Sequence, residues 1–127
     1  MANSLQLSAS LSYTGNNVSI SIQVSPAITA SVAGAGLVSL ATVTVPTTAA
    51  AIPVAALTGG VASGGWLFVR NLDPTNYMGI ETATSGTYFA KLLPGEFCFL
   101  RLDPGLTAPF WKANTATVQA ELAIFDL

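Results

Sequence analysis

Histidine is missing from this chain altogether, and cysteine occurs once in 127 residues. The first absence removes the commonest general base and the commonest metal ligand, so neither a Ser-His-Asp nor a Cys-His arrangement can form within one chain. The second removes any intrachain disulfide and leaves packing or association as the source of stability. Charge is scarce too, at 8% of residues against about 25% in a typical globular domain. Four Lys and Arg residues are too few for a phosphate-binding stripe, so no nucleic-acid partner is expected.

The six acids (Asp73, Glu81, Glu96, Asp103, Glu121 and Asp126) have no calcium-loop spacing. A glycosidase needs two carboxylates facing across a cleft. Asp73 and Asp103 are the only candidates, and both precede proline, where turn formation accounts for them. The expectation is therefore no catalytic residue, no metal and no cofactor. Cys98 sits in the apolar run Phe97–Leu100 and reads as a small buried hydrophobe.

A long hydrophobic run is also missing. The best candidate for a membrane span, residues 27–45, carries no charge but is rich in Ser, Thr, Gly and Ala. Its second half alternates, with Leu37, Ser39, Ala41, Val43 and Val45 on one side, which is a strand pattern. No membrane partner is expected. The first ten residues have neither a basic region nor a continuous apolar core, so no secretory signal is predicted.

What is there is period-two alternation. Leu5, Leu7, Ala9, Leu11 and Tyr13 alternate with polar residues, and so do Val18, Ile20, Ile22 and Val24 beyond the Thr14–Asn17 turn cluster. This predicts an N-terminal hairpin within residues 1–25. Leu37–Val45 reads as a strand and Ile52–Leu57 as a short edge strand broken by Pro53. The central stretch Gly65–Thr82 reads as a strand at Trp66–Val69, a polar loop, and a return strand at Tyr77–Thr82. Strands are also expected at Gly86–Leu93, Glu96–Leu102, Pro109–Lys112 and Thr117–Phe125, with a turn at Pro94-Gly95. Glu96–Leu102 is apolar on both sides, as an inner strand would be. A helix is the alternative for Thr117–Phe125. The expected fold is all-β: one domain over residues 1–127, an antiparallel β-sandwich or jelly-roll-like barrel of about eight to ten short strands. At this length a domain buries about two-thirds of its unfolded surface.

Two loops stand out. Phe68–Pro74 echoes Phe99–Pro104: an apolar strand, an Arg, and an exit through Asp-Pro. Asn71, Asp73, Pro74 and Asn76 in the first, and Asp103 and Pro104 in the second, are read as structural turn residues. If the two strands pair and leave at one end of a sandwich, the loops would be neighbours. Among the aromatics a carbohydrate platform would use, Trp66 reads as core. Trp111, beside Lys112, reads with that lysine as a candidate interface.

Charge is also unevenly placed. All ten charged residues lie from Arg70 onward, so the first 69 positions are neutral. Strand edges without Lys or Glu aggregate unless covered. The sequence therefore predicts a homo-oligomer, a trimer being the first expectation, with the N-terminal hairpin in the contact.

The segments IPVAAL, GWLFVRNLDPTNYMGI, KLLPGEFCFLRLDP and KANTATVQAELAIFDL, spread in that order over residues 52–127, resemble a family of small tailed-phage virion proteins. The resemblance lies in turn and core residues. It implies a β-rich, non-enzymatic virion subunit made in the host cytoplasm. A capsid decoration (cement) protein binding the major capsid protein is the foremost role implied, and a tail or adaptor component the nearest alternative. A carbohydrate-binding module is the alternative from another class.

Overall fold

The computed structural model describes residues 3–7, 10–15, 18–23, 28–32, 37–53, 65–82, 87–102 and 109–126. Every regular element among them is a strand, twelve in all: β1 (Asn3–Leu7), β2 (Ser10–Gly15), β3 (Val18–Gln23), β4 (Ile28–Val32), β5 (Leu37–Val45), β6 (Ala50–Ala51), β7 (Gly65–Asn71), β8 (Met78–Glu81), β9 (Tyr88–Leu92), β10 (Phe97–Arg101), β11 (Phe110–Ala113) and β12 (Val118–Asp126). The alternating, β-branched and aromatic composition of these segments suits a pleated, half-buried surface. No helix among the described residues is long and apolar enough to cross a membrane.

Two antiparallel four-stranded sheets form the body, in the orders β10-β7-β12-β5 and β6-β11-β8-β9. They share no strand, so the fold is the sandwich rather than the closed barrel. Between them lies one hydrophobic cluster. Leu67, Val69, Ala120, Leu122 and Ile124 come from the first sheet, and Met78, Ile80, Leu92, Trp111 and Ala113 from the second. Alternation puts these residues inward: β7 is buried at Leu67 and Val69 and half-buried at Trp66 and Phe68. Thr117–Phe125 resolves as strand β12, which pairs with both β5 and β7 and occupies the interior of its sheet.

Four links that are described throughout cross between the sheets: 46–49, 72–77, 93–96 and 114–117. All four gather at one end and are tied by backbone hydrogen bonds. Ala113 donates to Pro46 (2.8 Å), Asn114 to Tyr77 (3.2 Å), Leu72 to Gln119 (2.9 Å) and Gly95 to Asn71 (3.0 Å). Pro94-Gly95 forms the expected turn, closed by the Glu96 amide donating to Leu93 (3.0 Å), with Gly95 at φ 80°. A positive φ after proline is the type II pattern, for which glycine is the default residue.

Several expectations are corrected. Trp66–Val69 and Tyr77–Thr82 do not form a hairpin, because β7 and β8 lie in different sheets. Each buries one face in the shared core, and the loop between them carries the chain across. The strand expected over Leu5–Tyr13 is two, β1 pairing with β4 and β2 with β3. β10 is an edge strand rather than an inner one. It pairs with β7, with Phe99 opposite Phe68. The pairing is antiparallel, however, so the two echoed segments leave at opposite ends of the sheet. Asp103 and Pro104, with most of the expected Ile52–Leu57 strand, lie outside the described residues.

Candidate functional site

Asn71 ends β7 with its side chain fully buried. Its Nδ2 donates to the carbonyls of Asn76 (2.8 Å) and Leu92 (3.1 Å), and its Oδ1 accepts from the Asp73 amide (2.9 Å). Its backbone amide donates to Glu96 (2.9 Å). One residue thus joins the 72–77 link, the end of β9 and the Pro94-Gly95 turn, with each buried polar atom paired.

Asp73 begins an Asx turn. Its Oδ1 accepts from the amides of Thr75 (2.8 Å) and Asn76 (2.6 Å) and from the Thr75 hydroxyl (3.2 Å). The Asn76 amide, followed by that of Thr75, holds the Asp73 carboxyl below its ordinary value. Thr115 in turn donates to Asn76 Oδ1 (2.8 Å), fastening the 114–117 link to this loop. Pro74 is exposed at the loop's outer edge. Polar chemistry here is spent on closing the crossing end of the sandwich.

The two tryptophans exchange the places expected of them. Trp111 is only 2% exposed and packs in the core, opposite Ile80 on β8. Its side chain therefore presents almost no surface in the folded chain. The physical reason is the pleat: Trp111 and Ala113 turn inward, and Lys112 between them turns outward and is half-buried. Trp66 instead lies on the outer side of the first sheet, where its ring stacks on Phe99 at 4.9 Å. Phe68 and Phe97 form a second pair at 5.8 Å, and Phe97 is 64% exposed. The Arg101 guanidinium stands 5.9 Å from the Trp66 ring, and Arg70 lies directly opposite Phe97 in register. The both-sides apolar pattern of Glu96–Leu102 was the signal for this face; it marks an outward aromatic row, not an inner strand.

The second sheet's outer side carries a different group. Lys91 Nζ sits 3.8 Å over the Tyr77 ring, and Tyr77 meets Tyr88 edge-on at 6.4 Å. A Cβ at Gly79 would overlap the Tyr88 ring, so this glycine is the seat of that tyrosine. Glu81, fully buried, pairs with Tyr88 across a β-bulge. Desolvation, with Tyr77 and Glu81 adding to it, raises the Tyr88 phenol above its usual value.

Cys98 faces the core from β10, where burial pushes its thiol up to about 11. Among the described residues no group of three or more Cys, Asp or Glu side chains is placed to hold a metal. What the arrangement offers chemically is flat apolar contact and cation–π pairing on the outer face of the first sheet. Comparison of the chain with protein-family models, curated proteins and solved structures finds no match.

Proposed function

We propose that this chain is a non-enzymatic structural subunit of a tailed-phage particle, a decoration protein that self-associates on the head and clamps neighbouring major capsid subunits. The observation that carries the reading is the pairing of the neutral N-terminal segments. β1 with β4, and β2 with β3, form two-stranded ribbons with no third strand among the described residues. A two-stranded ribbon is marginal alone in water and becomes secure when a neighbour supplies further strands or a second layer. No charged side chain is present in these ribbons to oppose such pairing. The resemblance of residues 52–127 to small virion proteins supplies the particle.

Particles assembled with and without the gene for this chain provide the test. Cryo-electron microscopy difference density over the capsid lattice is the expected result. Density confined to the tail or neck would replace the decoration role with the adaptor one, and no density anywhere would end the virion reading. The aromatic pair Trp66–Phe99 favours the second reading, a carbohydrate-binding surface.

A further inference from the structure

The outer face of the first sheet has a charge layout that suits one occupant. Register places Glu121 on β12 opposite Arg70 on β7, and Arg70 opposite Phe97 on β10. One row further along, Ala123, Phe68 and Phe99 align, and beyond them Trp66 lies opposite Arg101. Phe68 is thus the centre of a small grid. Arg101 and Glu121 occupy diagonally opposite corners, about 17 Å apart on ordinary strand spacings and too far to pair within one chain.

We propose that this face is a two-fold contact with a second copy of the chain, in which Arg101 of each copy meets Glu121 of the other. A half-turn about the grid's remaining diagonal, lying in the plane of contact, brings the two copies face to face. Phe68 then falls on Phe68, Phe97 on Phe97, and Arg70 beside Phe99, whose ring is stacked on Trp66. On ordinary strand spacings the two sheets then cross at about 70°, nearer the orthogonal than the aligned sheet-on-sheet geometry. Aromatic and Arg residues in the middle of a patch, with opposite charges at its corners, are what a self-complementary interface requires. An isologous contact joins copies in pairs, so it is separate from any ring built by the ribbons of residues 3–32. The inference rests on reading the chain as a self-associating subunit, and it is independent of the particle to which that subunit belongs.

The experiment is a charge-reversal cycle read by sedimentation equilibrium, with circular dichroism showing that each variant is folded. Arg101→Glu and Glu121→Arg should each weaken the two-fold association roughly tenfold or more, and the double variant should recover most of the loss. Failure of the double variant to recover, or singles that associate like the wild type, overturns the proposal while leaving self-association through other surfaces standing. Dilution of the unmodified protein gives a second readout free of folding effects. Trp66 emission should shift to the red as the pairs separate, because Trp111 stays in the core. Emission that is constant while the mass falls overturns the proposal. So does a wild type that stays monomeric at high concentration, and a monomer whose Trp66 emission responds to a soluble oligosaccharide would assign the face to sugar instead.

Discussion

Asn71 serves three carbonyl or amide partners from a fully buried position, so truncating it strands groups that water cannot reach. Asn71→Ala should cost about 2–3 kcal/mol, measured by denaturant unfolding at fixed protein concentration. Asp73 is partly exposed and contributes through its ionised form. Because folding lowers its carboxyl below the ordinary value of 3.8, its contribution is present above the carboxylate range and lost as pH falls through the folded value. The melting-temperature gap between wild type and Asp73→Ala should therefore hold at neutral pH and close as acid protonates the carboxyl, below the ordinary value of 3.8. A gap that widened in acid would contradict the Asx turn as its source. Cys98, with its thiol at about 11, is almost wholly neutral at pH 8. A thiol reagent at that pH should label it slowly in the native protein and rapidly in denaturant, since the thiolate is the reactive form. At this scale the sequence was partly legible. Asn71, Asp73, Pro74 and Asn76 could be read as turn formers from residue type alone. That Asn71 reaches Leu92, 21 positions away, depends on a crossing between sheets that no local pattern records.

Strands were legible wherever alternation was strong, as in β5 and β12, because a half-buried strand writes its two faces into the sequence. β7 was legible as a run of strand-favouring residues, without showing which of them face inward. Which sheet a strand joins was not legible. β7 and β8 have the composition of a hairpin, and only the polar crossing links decide that they part. Trp66 and Trp111 show the same limit, since inward and outward positions differ by one residue of register. Trp111→Ala should open a cavity in the core and cost about 3–5 kcal/mol in unfolding. Phe97→Ser, at a 64% exposed position, should cost the single subunit only about 0.5–1.5 kcal/mol, the scale of its ring pair with Phe68. Strand β8 offers a sharper test through the tyrosine seated on it. Gly79→Ala should destabilise by about 1–3 kcal/mol through overlap with the Tyr88 ring. In Gly79→Ala/Tyr88→Ala most of the extra cost should vanish, because the two positions are in contact and do not add. Additive losses would place the glycine's role in the backbone instead.

The whole molecule brings together positions far apart in the chain. Gln119 on β12 donates to Thr44 on β5 at 2.9 Å, 75 residues away in sequence. β12 separates β5 from β7, so these two strands touch only through it. The β7–β10 pair can form before β12 is made, but β5 stays unpaired in this sheet until β12 arrives. As the protein is synthesised, β5 and β7 leave the ribosome long before β12, each with its paired edge open. The neutral N-terminal half waits with them, without charges to keep nascent chains apart. Completing the first sheet must await β12, and pairing at such separation is slow. Crowded polysomes are where this chain is most exposed to its own copies. Its yield in a cell should depend on holding chaperones and on lowered temperature more than on the stability of the finished sandwich.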